Sequence, residues 1–320
     1  MAFVHLHTHT EYSLLDGSNK IKEYVSRVKE LGMNSAAITD HGVMYGVIDF
    51  YREARKQGIK PILGCEVYVA PNSRFDRETA GGESRYHHLV LLAENNTGYA
   101  NLMKIVSRGF TEGYYYKPRV DKDLLRQYHE GIIALSACLA GEVQRYLSRG
   151  LTEEAKKVAL EYQDIFGKGN FFLEMQDHGI PEQQLANQRQ IQLSKETGIE
   201  LVVTNDIHYT YAEDAKPHDI LLCIQTGKKL DDENRMRYEG GQYYVKSPQE
   251  MEALFPYAKQ ALENTQKIAN RCEVEIEFGV TKLPKYDVPD GMTSWEYLNK
   301  LCWEGLEKHY GEPSRELKER

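Results

Sequence analysis

Cysteine and tryptophan are scarce in this 320-residue chain, with five and two copies. The cysteines, Cys65, Cys138, Cys223, Cys272 and Cys302, are odd in number and widely spaced, with no C-x-x-C pair. That pattern excludes a disulfide framework and a zinc finger built from close cysteine pairs, and it fits a reducing cytoplasm. No run of about 18 apolar residues occurs, which excludes a membrane-spanning helix. The opening MAFVHLHTHTEYS has neither the basic start nor the long apolar stretch of a secretory signal, so a cytoplasmic location is expected. Positive charge is in deficit: 40 basic against 48 acidic residues give a net charge of −8 with the histidines neutral. A chain of that sign does not coat nucleic acid by broad phosphate neutralisation. A nucleic-acid substrate stays open, because bound cations can reverse the local sign at a site. There is no internal repeat and no low-complexity tract.

What is present is an ordinary soluble composition, 41% apolar and 28% charged, able to bury a sizeable core. Short apolar runs at 3–6, 35–38, 61–63, 89–92, 132–135, 171–174 and 201–204 alternate with helical periodicity at 21–31, 46–57, 99–110, 151–166 and 182–197. Gly58, Gly131 and Gly198 stand ahead of three of the runs, as helix C-caps would. Strand–helix alternation predicts an α/β fold with a mostly parallel sheet, open or closed into a barrel, over residues 1–210. From 211 to 282 the rhythm changes to helices at 212–226, 248–254 and 258–272, with a Gly-Gly hairpin-like element near 239–245. LPKYDVPDG (283–291) reads as a linker. Beyond it Trp295, Leu298, Leu301, Cys302 and Leu306 recur at helical spacing. Residues 283–320 are therefore expected to be a linker and the first helices of a following region, cut within a longer protein.

The chemistry lies in where histidines and carboxylates fall. His5-Leu6-His7-Thr8-His9 follows an apolar run, and in an extended backbone residues i and i+2 point the same way, so His7 and His9 can share one ion. Asp206-Ile207-His208 repeats that geometry after LVVTN, and Thr39-Asp40-His41 follows SAAI. Glu66 lies in PILGCEV and Cys138 in IIALSAC. Five separate strands thus deliver a metal-ligand type at one predicted edge, where parallel α/β folds build their sites. A single His or Asp after a strand is ordinarily a cap or surface group, and H-x-H alone makes no site. The whole set together suits an open, multinuclear catalytic centre holding zinc, manganese or iron. His129, His178, His218 and His309 read as surface or core residues. His5 is in phase with His7, and adjacent His87 and His88 point to opposite faces. Cys65 and Cys223 read as small buried groups. The run Tyr114-Tyr115-Tyr116-Lys117-Pro118-Arg119 suits base stacking and phosphate contact as well as it suits a packed loop, with Tyr116, Lys117 and Arg119 as the substrate candidates.

HLHTHTEYSLLDG, AITDHGVMYG, PILGCEVYV, LLAENNTGYANLMKIVS, LSACLAGE and TNDIHY together resemble the PHP (polymerase and histidinol phosphatase) domain. YYYKPRVD, LLCIQTGKKLDDENRMRY and YYVKSPQEM are similar to the form that opens the alpha subunit of bacterial DNA polymerase III, and the resemblance covers nearly the whole chain. It implies a distorted (β/α)7 barrel holding up to three zinc or manganese ions. His7, His9, Asp206 and Glu66 would hold one ion. Glu66 would bridge to a second, also held by His88 and Cys138. Asp16, His41 and His208 would hold the third. Some family members carry histidine where Asp16 and Cys138 stand, and both replacements still ligate. His88 begins its apolar run instead of ending it, so that run is antiparallel or bulged, or the ligand comes from a loop.

The function so implied is metal-assisted phosphodiester hydrolysis, as a 3′→5′ proofreading exonuclease on single-stranded DNA ends, with Glu66, Asp206 and His208 as the catalytic metal-spanning residues. DNA polymerisation would belong to a longer parent chain, whose magnesium-binding palm lies outside this sequence. Other replicase subunits, among them a separate exonuclease, are the expected partners, with no membrane. Two rivals are a metal-stabilised structural module without activity and a phosphomonoesterase of the histidinol-phosphate type. An amidohydrolase also starts with H-x-H, but its later strand-end Lys and spaced histidines are not seen here.

Overall fold

The computed structural model of the protein describes residues 2–77, 85–289 and 291–320. It forms two compact units, Met1–Glu275 and Ile276–Arg320. In the first, strands β1 (Ser35–Ile38), β2 (Lys60–Val69), β3 (His87–Ala93), β4 (Tyr114–Tyr115), β5 (Lys117–Val120), β6 (Ile132–Leu135), β7 (Phe171–Met175) and β8 (Leu201–Val203) belong to one sheet. β1 pairs with β2 in parallel, and the path then runs β2–β3–β6–β7–β8. The β6–β7 and β7–β8 pairs are parallel, whereas β3 is antiparallel to both its neighbours. β4 and β5 form a small hairpin continuing the far end of β2, where Tyr68 pairs with Arg119.

The ring is closed by the N-terminal segment. His9 N–H donates to Ile207 O at 2.8 Å, Ile207 N–H to His7 O at 3.1 Å, and Thr39 N–H to Thr8 O at 2.9 Å. With this stave between β8 and β1 the sheet becomes a distorted (β/α)7 barrel. The strand expected at 3–6 is not regular, because Val4 N–H goes instead to the Thr265 hydroxyl, 3.1 Å away. Backbone donors must find some partner, and a side chain here replaces a ladder bond.

Helices α1 (Ile21–Glu30), α2 (Val47–Gln57), α3 (Asn96–Thr111), α4 (Lys122–Gln127), α5 (Glu142–Ser148), α6 (Thr152–Phe166) and α7 (Pro181–Thr197) follow the strands. Gly58 and Gly198 cap α2 and α7 in the left-handed conformation, as expected. Gly131 differs: α4 ends at Tyr128, and Gly131, at φ 71°, makes the turn into β6. Its carbonyl lies where a Cβ on Gly98 would sit, 1.8 Å away, so α3 can start there only with glycine.

After β8 come α8 (Ala215–Thr226), α9 (Pro248–Leu254) and α10 (Lys259–Arg271). The expected Gly-Gly hairpin is a single 3-10 turn, Glu239–Gly241, with Gly240 and Gly241 at positive φ. Residues 211–275 pack on the barrel as part of the same unit, so the chain divides earlier than the expected 282/283 boundary. α10 closes the edge of the barrel opposite the strand ends that carry the histidines. Asn264 Nδ2 donates to Leu201 O at the start of β8, and Lys60 Nζ to Asn270 O at the start of β2. Ile268, Ala269 and Cys272 join the barrel core of Val4, Leu6, Ile62, Val90, Leu135 and Val202. Each such large aliphatic side chain contributes about 1.5–3 kcal/mol by leaving water.

In the second unit 283–289 and 291–293 have no helix or strand, and Asp290 lies outside the described residues. α11 (Ser294–Tyr310) begins at a reciprocal cap between Thr293 and Glu296, and α12 is Arg315–Glu319. Trp295, Leu298, Leu301 and Trp303 of α11 are all exposed. Among the described residues no helix is long and apolar enough to cross a membrane.

Candidate metal centre

The barrel edge at the ends of β1, β6, β7 and β8 gathers the predicted ligands. Glu66 stands mid-strand in β2, yet it is level with that edge: it is bridged to His41 and paired with Val90, which is in turn opposite Leu135, the last residue of β6. Because β3 runs antiparallel, its first residues reach the same edge, which explains why His88 precedes its apolar run. His88 Nδ1 lies 2.9 Å from Glu66 Oε1, whereas His87 is turned away from the cluster and buried.

At the centre, His7 and His9 bring their Nε2 atoms within 3.1 Å of each other. Asp206 Oδ1 lies 3.3 and 3.2 Å from these nitrogens, and Glu66 oxygens lie 3.3 and 3.6 Å from them. His41 spans Asp16 Oδ2 at 2.8 Å and Glu66 Oε2 at 2.6 Å. The His9 ring stacks between His41 and His208, with centroids 4.0 and 4.4 Å away. Cys138 Sγ is 3.7 Å from His88 Nδ1. All nine side chains named from the sequence thus meet in one cluster. Ligand atoms come within 4.8 Å of one another in three overlapping groups: His7, His9 and Glu66; His9, His41 and His208; His41, Glu66 and His88.

Surrounding bonds fix the imidazole tautomers. His7 Nδ1 lies 2.7 Å from Glu174 Oε1, and a carboxylate only accepts, so Nδ1 carries the proton. His208 Nδ1 donates likewise to Asp206 O at 2.8 Å. Ser13 Oγ donates to Asp40 Oδ1 at 2.7 Å and so accepts from His9 Nδ1 at 3.1 Å. Each ring therefore turns a bare Nε2 lone pair inward, the arrangement of a metal-ligating histidine. Asp206 Oδ1, Glu66 Oε2 and His41 Nδ1 are buried without a hydrogen-bond partner, although the last two atoms are close. Lone pairs facing lone pairs at 3.1–3.3 Å in a buried site are satisfied by cations. The donor set of imidazole, carboxylate and thiol fits zinc or manganese.

Electrostatics give the same reading. Burial opposes charge on His7, but Asp206, Glu174 and Glu66 outweigh it and hold its pKa well above the usual value. Burial again opposes charge on His41, and Glu66 and Asp16 raise its pKa to about 10. His9 moves the other way, to about 3, through burial and the neighbouring His41 and His208. Burial would raise the carboxyls of Glu66, Asp206 and Asp16, yet the histidines drive all three below the usual range. Burial beside Glu66 and Asp206 pushes the Cys138 thiol well up. The cluster as a whole thus favours positive charge at its centre.

Backbone strain is concentrated here as well. Leu15, Tyr116, Ala137 and Asp206 are the non-glycine residues at positive φ among the described residues, at 61°, 62°, 62° and 45°. Asp206 is a ligand candidate, and Leu15 and Ala137 adjoin Asp16 and Cys138. Each such residue costs about 1–3 kcal/mol and persists only where its surroundings impose it.

Three residues of the site were not singled out from the sequence. Glu174 accepts from Ala137 N–H, Gln176, Thr204 and His7 and is fully enclosed; a carboxylate in the otherwise apolar run FFLEM was the available signal. Asp40 accepts from Thr10 and Ser13 and pins the loop leading to Asp16, while burial raises its pKa. The Tyr238 hydroxyl lies 3.3 Å from Asp16 Oδ1 and 3.2 Å from His208 Nε2, and no pattern marked it. His218, expected as surface or core, is buried and holds Asp16 O at 2.7 Å. His5, in phase with His7, bonds instead to Lys246 O at 2.8 Å. His178 is buried, and Cys65 and Cys223 are buried as expected.

The substrate candidates separate. Tyr116 and Lys117 line a cavity of about 300 Å³ that opens onto Asp16 and His41. Arg119 does not: it is 1% exposed, and its guanidinium donates to the carbonyls of Gly113, Arg74 and Asp76. Its place beside Val120 in β5 turns it inward, so it holds the loop and is not free for a phosphate.

Comparison with known proteins follows this geometry. The PHP domain family matches residues 5–178. The chain is 46% identical over 321 aligned residues to DNA polymerase III subunit alpha of Treponema pallidum, covering 100% of this chain and 27% of that protein. It is 41% identical to the same subunit of Thermus aquaticus, over 97% of this chain and 26% of that protein. The chain therefore spans about a quarter of the length of these relatives. Among solved structures, an amidohydrolase from Chromobacterium violaceum aligns at 15% identity and a TM-score of 0.44, over 65% of this chain and 88% of that one. With the family match covering more than half of its length, the chain belongs to the PHP domain family.

Proposed function

We propose that the chain hydrolyses phosphodiesters at the 3′ end of single-stranded DNA, as a proofreading 3′→5′ exonuclease beside a replicative polymerase in the cytoplasm. The observation that carries the reading is the convergence of bare lone pairs from His7, His9, Glu66 and Asp206 in a buried centre that opens onto an aromatic cavity. His7, His9, Asp206 and Glu66 would hold one ion, Glu66, His88 and Cys138 a second, and Asp16, His41 and His208 a third. Bound zinc or manganese would supply an acidified water and charge neutralisation on the phosphate. Glu66 sets the spacing between neighbouring ions, since its two oxygens face different histidines. The turn at Asp206, φ 45°, lets Asp206 and His208 serve neighbouring positions from one strand end. Glu174 holds His7 in its ligating tautomer, and Tyr238 presents a hydroxyl between Asp16 and His208. Lys117 supplies a cation in the cavity wall. An open cavity walled by aromatic rings suits a polymer end better than a small phosphomonoester, which wants a closed anion pocket.

The test is release of nucleotide from 3′-labelled single-stranded DNA after reconstitution with zinc or with manganese, beside Asp206→Asn. Release that depends on metal and disappears in a variant with unaltered circular dichroism is expected. A metal-loaded protein that releases nothing would make the centre a structural element of the polymerase and refute the nuclease reading.

A further inference from the structure

Two cavities adjoin beside the metal centre. The first, about 300 Å³, has Asp16 and His41 at one end and Tyr45, Phe110, Tyr114 and Tyr116 along its walls. The second, about 380 Å³, shares Val43, Tyr45 and Phe110 with it and continues to Met103 and Val106. Tyr45, Phe110, Tyr114 and Tyr116 are more than half exposed, a costly display for side chains of this size in a folded chain. Phe110 and Tyr114 meet edge to face at 5.5 Å, a contact that uses one face of one ring and leaves the others open. Tyr116 stands at φ 62°, a conformation its neighbours must impose.

Charge selects the occupant. In a chain of net charge −8, Asp16, itself a predicted metal ligand, is the one carboxylate lining either cavity among the described residues. Lys117 packs over Tyr68 at 5.4 Å and Arg85 over Tyr116 at 4.0 Å, setting a cation beside two of the rings. A groove for an apolar peptide would have no reason to lead into a cluster of bare imidazole lone pairs. Exposed rings, flanking cations and, among the described residues, no carboxylate in the first cavity's wall but Asp16 match a single polynucleotide strand leading to a metal centre.

We infer that the cavity running from Asp16 and His41 along Tyr45, Phe110, Tyr114 and Tyr116 is a sequence-tolerant stacking track, holding the nucleobases of the single strand that leads into the metal centre. This rests on the proposed nuclease function and adds the element that takes hold of the strand. Stacking on ring faces does not discriminate among bases, so a mismatched end and a matched end enter alike once unpaired.

The experiment measures binding of a short 5′-labelled oligothymidylate by fluorescence anisotropy at low salt in EDTA. It is repeated with an oligonucleotide of equal length whose 3′ half is abasic. The proteins are the unmodified chain, Tyr45→Phe, and the double variant Tyr45→Ala/Phe110→Ala. Removal of the two rings is expected to weaken oligothymidylate binding by about ten-fold or more, and abasic binding by much less, while Tyr45→Phe keeps its affinity. Equal weakening on both oligonucleotides, or no oligothymidylate binding by the unmodified chain, would overturn the stacking track. Nucleotide release measured in parallel separates the two readings. Release without ring-to-base coupling sinks the track alone, and coupling without release sinks the nuclease alone.

Discussion

Glu174→Gln isolates what holds His7 in its ligating form. Oε1 of Glu174 accepts from His7 Nδ1 at 2.7 Å, from Gln176 at 2.9 Å and from Thr204, while Oε2 accepts from Ala137 N–H at 3.0 Å. Every partner is a donor, so a glutamine must turn its NH₂ toward one of them. If the amide oxygen stays on His7, the NH₂ faces Ala137 N–H, and that buried donor costs about 1–3 kcal/mol. The negative charge that favours the Nδ1 proton is lost in either orientation. Orienting partners of this kind are worth about 10- to 100-fold in metal affinity, or about 1.4–2.8 kcal/mol. The same amount disappears from the stabilisation that saturating metal confers. The assay is competition with a chromophoric zinc chelator, together with melting of stripped and reconstituted protein. A variant that melts lower without metal but binds zinc with unaltered affinity would refute the tautomer argument and leave Glu174 a satisfied core carboxylate.

Stripping metal with a chelator should lower the melting temperature and restoring zinc or manganese should raise it, the folded state gaining about 4 kcal/mol of stability at a thousand-fold excess over Kd; an unaltered melt would show that nothing is bound at the cluster. Arg119→Met should destabilise by about 3 kcal/mol or more, since the carbonyls of Gly113, Arg74 and Asp76 lose their donor; a variant of normal stability in urea would return Arg119 to the substrate candidates. Burial lowers the pKa of His178 to about 4, from 6.5. Unfolded chains then bind a proton that the folded state refuses, so stability falls as pH drops through 6.5 toward 4, by about 2 kcal/mol between pH 7 and 5 for this one group. His178→Gln should flatten urea midpoints measured across that range by about this amount, and an identical slope would place the proton uptake elsewhere.

Much of the centre was legible because its residues are paired at strand ends: H-x-H, D-x-H and T-D-H announce their geometry locally, through the two-residue repeat of extended chain. The direction of β3 was not legible. His88 looks misplaced until Tyr68 is seen opposite it in an antiparallel register, and that pairing is tertiary. Arg119 was misread for a related reason, because a basic residue after three tyrosines carries no sign of which way its strand faces. Glu174 and Tyr238 act across 167 and 30 residues respectively, on His7 and His208, distances at which sequence spacing says nothing. The short helices α4 and α5 lacked enough turns to show a period. Strand–helix alternation announced an α/β sheet but left it open or closed; the barrel was implied by the family resemblance, and its means of closure by neither.

That closure has a consequence for synthesis. The segment that seals the ring is made well before its partners: Val4 waits for Thr265, 261 residues on, and His7 and His9 wait for Ile207. At about 5–20 residues per second the ribosome takes roughly 13 to 52 s to cover the interval of 261 residues. Through that time two histidines spaced to chelate are held in an open chain, where a lone H-x-H grips any ion weakly. The His7, His9 and Asp206 group is thus completed only as Ile207 arrives to close the ring, whereas His41, Glu66 and His88 have all been made by residue 88.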